Sequence, residues 1–160
     1  MGNYFEDFNP GQTFKHWPGR TVTEFDNTWF TLMTMNTNPI HFDAAYAAKS
    51  QHGRCLVNGL LVIATVTGMS VKDVSENAIA ALEYESIRHT APTFAGDTLY
   101  TESEVLEKRE SKSKPQWGIV KVRTRGIQQD GKIVIAFERT VMVWKRAHAP
   151  QRDIFPEVKY

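Results

Sequence analysis

The residues best suited to chemistry in this 160-residue chain lie in one run, TMNTNPIHFDAAYA, residues 34–47. His41 is the side chain there that changes charge near neutral pH, so it can give or take a proton. Asn36 stands five residues before it, where an acid–base enzyme would place a carboxylate. An amide is no useful base, but it can hold a water by accepting one hydrogen bond and donating another. The carboxylates near enough in sequence to replace it are Glu24, Asp26 and Asp43. A second feature is Asn58-Gly59, which opens the apolar run NGLLVIATVTGM. A helix starting there presents free N–H groups and a positive dipole end to a developing oxyanion. Gly59 would let a substrate approach that backbone closely.

Plainer roles exist for the same residues. His41 can be a turn residue, and Gly59 a glycine that simply begins a helix. Asn36 suits a helix C-terminus, and Asp43 suits an N-cap. Cys55 sits among apolar neighbours, the setting of an inert packed thiol rather than a nucleophile. His41, Asp43 and His52 match no zinc-site spacing, so no metal is expected.

The elements that must position these groups read as follows. TEFDNTWFTLMTMN carries Thr23 as N-cap and Asp26 three residues on, the pattern of a capping box. Phe25, Trp29, Leu32 and Met33 fall at helical spacing and predict one buried face. Asn38-Pro39 ends that helix, because proline cannot continue it and disfavours the α region for the residue before. DAAYAAKS predicts a short helix capped by Asp43. The helix from about Asn58 to Met69 is apolar on nearly every face, which predicts burial all round. The second half alternates apolar and polar residues in NAIAALEYESIRHT, DTLYTESEVLEKRE, WGIVKVRTRGIQQ and KIVIAFERTVMVW, predicting four long antiparallel strands. Asp130-Gly131 marks a hairpin, and ESKSKPQ a charged loop. Residues 1–19 read as irregular. One sheet packed on one helix is an α+β layer architecture. Its long sheet edges need protection, which pairing of two copies would supply.

The net charge of +1 gives no field argument for nucleic acid or an anionic membrane. The longest apolar run, Leu60–Ala64, is too short to span a bilayer. The single cysteine excludes an intramolecular disulfide, and a cytoplasmic location is the simplest reading. The acidic, aromatic start MGNYFEDFNP lacks the features of a signal peptide.

Four segments together resemble the MaoC-like, or (R)-specific enoyl-CoA hydratase, family. NTNPIHFD is similar to its Gly-Asp-x-Asn-Pro-(Leu/Ile)-His signature, and QHGRCLVNGLL to its Gly-(Arg/Lys)-x-x-x-His-Gly-(Met/Leu) segment. APTFAGDTL resembles its Pro-Val-x-x-Gly-Asp-Thr turn, and RTVTEFD its entry to the first helix. The resemblance covers residues 20–145 or so and implies a single hot-dog domain over 1–160, with its core at about 10–146. It implies a sheet wrapped around a long central helix, and a homodimer or a larger assembly of dimers.

The implied chemistry is reversible addition of water to a trans-2-enoyl-CoA, with the thioester as substrate and no cofactor. The resemblance gives His41 the acid–base role, Gly59 the oxyanion role and Asn36 the position of the usual Asp. Asn38 would order the turn that presents His41. Asn58 stands in place of a supporting His, and Thr67 where a pocket-facing Ser is common. Altered signatures of this kind fit branched or dicarboxylic acyl groups such as mesaconyl- or itaconyl-CoA. A non-catalytic acyl-CoA-binding protein and a thioesterase on the same fold are the alternatives. Arg109, Lys112, Lys114, Arg123 and Arg125 are cations on a solvated face, from which the sequence does not choose a CoA-phosphate ligand.

Overall fold

The structure, a computed structural model, describes residues 2–151 and 156–159. The four expected strands are present: β2 (Ala78–His89), β3 (Thr98–Glu110), β4 (Trp117–Gln128) and β5 (Ile133–Trp144). A further strand precedes them, β1 (Thr13–Thr21), which corrects the irregular reading of residues 1–19. Pro18 and Gly19 interrupt its alternation. An edge strand tolerates both, and the β1–β3 register shifts between His16 and Arg20. All neighbours are antiparallel in one five-stranded sheet of order β1-β3-β4-β5-β2. The β4–β5 hairpin closes at Asp130-Gly131, where Gln128 N–H donates to Lys132 O at 2.8 Å.

Three α-helices follow among the described residues, α1 (Glu24–Met33), α2 (Ala44–Ala47) and α3 (Gly59–Met69), of which α3 packs on the sheet and α1 against α3. The caps follow the sequence reading. Thr23 accepts from Asp26 N–H, Asp26 returns the bond to Thr23 N–H at 2.9 Å, and Asp43 accepts from Tyr46 N–H at 3.0 Å. The helix α3 lies on the inner face of the sheet at Gly126. A side chain there would come within 2.6 Å of Val66 and 2.7 Å of Ile135. Val62, Val66, Leu99, Val134, Ile135 and Phe137 make one half of the core. Phe5, Phe8, Val105, Val120, Val122 and Val141 make the other.

Two burial expectations are corrected. On α1 the buried side chains are Asn27 and Thr31, while Phe25, Trp29, Leu32 and Met33 are each more than half exposed. The helix turns its short polar stripe inward, because those side chains have hydrogen-bond partners there. On α3 only Val62 and Val66 are buried, and Leu60 is 60% exposed. The periodicity located both helices but could not say which surface covers each face.

The outer face of the sheet carries an ion ladder. Lys121 pairs with Glu85 and, at 3.0 Å, with Glu138, which also takes Arg123 at 2.9 Å. Arg125 holds Glu102 at 2.9 Å and Glu104 at 3.0 Å. The hydrogen bonds from Lys121 and Arg123 hold the Glu138 carboxyl below its ordinary range. Arg123 and Arg125, read as solvated cations, are therefore engaged with carboxylates. No helix among the described residues is long and apolar enough to cross a membrane.

Candidate active site

Pro39–His41 forms a single 3-10 turn after α1. Two asparagines build its entry. Asn36 Oδ1 accepts from Asn38 N–H at 3.0 Å, and Asn38 Oδ1 accepts from Ile40 N–H at 3.3 Å. The oxygen of Asn36 is thus engaged by the backbone, and no hydrogen bond joins its side chain to His41 among the described residues. Side chains of this kind stabilise turns by imitating a backbone carbonyl.

His41 is half-buried and oriented by a second segment. Its Nδ1 lies 2.8 Å from Leu56 O. A carbonyl oxygen only accepts, so Nδ1 carries the proton, and Nε2 of the neutral ring keeps its lone pair. Leu56 N–H in turn donates to Ile40 O at 3.0 Å, which binds the two segments to each other.

Asn27, which the sequence reading passed over, ties these pieces to the helices. It is 3% exposed. Its Nδ2 donates to His41 O at 2.7 Å and to Leu56 O at 3.1 Å, and its Oδ1 accepts from Asn58 N–H at 2.8 Å. Asn58 caps α3 by accepting from Leu60 N–H at 3.0 Å and reaches Thr31 Oγ1 at 3.2 Å. The sequence carried a faint signal: Asn27 and Thr31 are four apart, a polar stripe inside an otherwise apolar helix.

The histidine opens into a cavity of about 350 Å³ with Glu24, Thr28, Phe42, Arg54 and Cys55 in its wall. Of the three alternative carboxylates, Glu24 lines this cavity. Asp43 is engaged as an N-cap, and Asp26 in its capping box and with Arg20 at 2.6 Å. Burial pushes the Cys55 thiol up, and Glu24 and Asp43 add to this, so the thiolate is disfavoured. Arg54 lies over the Phe94 ring, 3.9 Å from its centroid.

Gly59 follows the cap directly but lines a neighbouring cavity, also about 350 Å³, with Leu56, Val62, His52 and His89. A side chain at 59 would stand 2.9 Å from His89 Cε1, so glycine is needed where that ring packs. His89 had not been singled out in the sequence. Thr67 lies two turns further along α3, away from this cluster, with its hydroxyl buried and unpartnered. So His41 and Asn58 are joined through Leu56 and Asn27, Asn36 and Asn38 build the turn that carries His41, Gly59 follows Asn58, and Thr67 stands apart. No group of three or more His, Cys, Asp or Glu side chains placed to hold a metal is found among the described residues.

Comparison with known proteins agrees with this arrangement of sheet and helix. The family profile described as mesaconyl-CoA hydratase matches residues 1–153. The chain belongs to the mesaconyl-CoA hydratase family. Among curated members it is 38% identical over 153 residues to the β-methylmalyl-CoA dehydratase of Chloroflexus aurantiacus, covering 94% of this chain and 43% of that one. Among solved structures, a Mycobacterium tuberculosis protein described as having a double hot-dog fold superposes with TM-score 0.82 at 26% identity, covering 98% of this chain and 47% of that one. An unliganded R-hydratase from Pseudomonas aeruginosa superposes with TM-score 0.75 at 26% identity, covering 98% and 96%. The fold is the hot dog, as the sequence predicted. The chain spans less than half the length of the mesaconyl-CoA hydratase relatives it matches first.

Proposed function

We propose that this chain is the catalytic unit of a hydratase that adds water reversibly to a trans-2-enoyl-CoA, giving a 3-hydroxyacyl-CoA. The observation that carries this reading is the His41–Leu56 hydrogen bond, which leaves Nε2 available as a base on a side chain that lines a cavity. In hydration, Nε2 takes a proton from water as its oxygen bonds to C3, and the imidazolium returns a proton to C2. Asn36 steadies that water through its Nδ2 hydrogens, since its oxygen is engaged by Asn38 N–H. The first-turn N–H of Gly59 polarises the thioester carbonyl, helped by the α3 dipole. Asn38, Asn58 and Asn27 hold the turn and helix that present these groups, and Thr67 lies further along the acyl path. Branched or dicarboxylic acyl groups are the substrate class, in keeping with relatives named β-methylmalyl-CoA dehydratase and mesaconyl-CoA hydratase. The chemistry requires no cofactor.

A second copy of the chain packs against this one and covers its exposed apolar surface. Exposed Phe25, Trp29, Leu32 and Met33 on α1, and Ile79, Leu82 and Ile87 on the edge strand β2, form the surface it would cover. Burial of such apolar groups drives association. Residues 1–160 then act as one hot-dog domain of that dimer.

Incubating the protein with crotonyl-, mesaconyl- and itaconyl-CoA, and following mass for the gain of one water, tests the activity. Turnover of any of them supports it. Release of free CoA thiol without hydration would instead identify a thioesterase, and binding without either product a non-catalytic acyl-CoA carrier.

A further inference from the structure

The ring of His89, the last residue of β2, packs directly over Gly59. From the position that a Cβ at residue 59 would take, His89 Nε2 is 3.1 Å away and Nδ1 3.6 Å. That position lies about 2.5 Å from the residue's own nitrogen, by standard backbone dimensions. His89 Nε2 therefore stands no more than about 5.6 Å from Gly59 N. A hydrogen bond spans about 2.9 Å, so one oxygen can accept from both nitrogens. The histidine is exposed, and it shares with Gly59 the cavity of about 350 Å³ described above, so a ligand can reach both.

Both donors lack a partner among the described residues. Asn58 Oδ1 accepts from Leu60 N–H, and no acceptor takes the N–H of Gly59. The histidine rings engaged in hydrogen bonds are those of His16, His41 and His52. Nothing fixes the tautomer of His89, so its Nε2 is available to carry the proton to a ligand oxygen. Other polar side chains of the cavity are committed. Thr90 gives its hydroxyl to Ile133 O at 2.6 Å, and His52 Nε2 stands 3.2 Å from Gln51 Nε2. Leu56, Val57 and Val62 supply apolar wall, which strengthens a hydrogen bond made there. The chain passes from the cavity of His41 to this one between Cys55 and Leu56.

We propose that His89 is a second oxyanion donor, its Nε2–H joining the N–H of Gly59 on the thioester oxygen. The proposal deepens the hydratase reading above and rests on it. As the water oxygen bonds to C3, the π electrons of the alkene move through C2 and C1 onto the thioester oxygen. Return of a proton to C2 draws them back. His89 transfers no proton in either step, and its hydrogen bond strengthens while the oxygen holds the charge. A donor aimed at developing charge stabilises the transition state more than the bound substrate, so it acts on kcat.

The test joins steady-state hydration to infrared spectroscopy, with crotonyl-CoA and mesaconyl-CoA and the full chain. His89→Leu lowers kcat about a hundredfold, the scale of one lost oxyanion donor, and leaves KM within about threefold. His89→Gln, whose amide nitrogen falls near the place of Nε2, recovers the rate to within about tenfold of the wild type. For the infrared measurement the thioester carbonyl carries a heavy carbon isotope, and His41→Ala prevents turnover. The carbonyl stretch of the bound thioester lies below that of the free one, and adding His89→Leu moves it back toward the free value. An undiminished rate in His89→Leu would overturn the proposal and leave the hydratase reading intact. So would a rate loss with the carbonyl stretch unmoved, which would make His89 a packing residue. A loss that accompanies a change in sedimentation and is not recovered by His89→Gln would overturn it too. A wild type that neither binds nor hydrates either thioester would instead reject the hydratase reading itself.

Discussion

At the residue scale the site depends on four asparagines and a histidine joined mostly through backbone groups. Asn27 alone touches the His41 turn, the Leu56 segment and the start of α3. Replacing it with Leu removes the partner of His41 O and of Asn58 N–H, leaves Leu56 O with His41 Nδ1 alone, and frees the turn to shift. Displacements of about 1 Å can cost about a hundredfold in rate. Asn27→Leu is therefore predicted to lower kcat by about that factor with little change in KM, measured by steady-state hydration. Asn36 raises a different question, because its oxygen serves the turn and only its Nδ2 remains for water. A carboxylate can accept the same Asn38 N–H bond and offer a second oxygen as base. Asn36→Asp is predicted to keep or raise activity on simple enoyl-CoAs. A large loss would mean that the amide hydrogens are themselves required. Beyond the Asn27–Thr31 stripe, this inner wiring could not be read from the sequence, since an asparagine in a helix does not announce its partners. His41 and Asn38 were legible because Asn-Pro marks a helix end and a turn, while Asn58 was noted at the start of α3 and its capping role came from the structure.

At the element scale, local rules carried most of the fold. Capping of α1 by Thr23, of α2 by Asp43 and of α3 by Asn58 depends on side chains within three residues of the helix start. Alternation found β2 to β5 for the same reason. The strand β1 was missed because Pro18 breaks its pattern, and only the neighbouring β3 shows that the segment is paired. The faces of α1 and α3 were misread because burial depends on a partner surface, which periodicity does not contain. The α1 cap makes a measurable prediction. Burial raises the Asp26 carboxyl, but hydrogen bonds from Thr23 and from Arg20 outweigh it and leave the group below its usual value. A carboxyl lowered on folding contributes stability above its unfolded pKa, and loses it as pH falls through the folded one. Asp26→Asn should thus cost about 1 kcal/mol at pH 7 in urea unfolding, the scale of a helix cap. That cost should shrink as pH drops below about 4. A cost independent of pH would show that the charge is not what matters.

At the scale of the whole molecule, α1 exposes Phe25, Trp29, Leu32 and Met33, the apolar surface proposed to pack against a second copy. Trp29→Glu places a charge on the exposed face of α1, where in the isolated chain it disturbs little. If that face is a dimer interface, the variant sediments as a single copy while the wild type sediments as two, and hydration falls with it. A wild type that sediments as one copy while fully active would remove the need for the second copy. The central claim is narrower and sits on His41, whose Nδ1 is held by Leu56 O at 2.8 Å and whose Nε2 is left as the base. The direct measurement is the initial rate of loss of enone absorbance with an enoyl-CoA substrate, for the wild type and for His41→Ala at equal concentration of folded protein. The account predicts turnover by the wild type and a fall of at least about a thousandfold in the variant, within the range that general acid–base catalysis contributes. An undiminished rate in His41→Ala would contradict it.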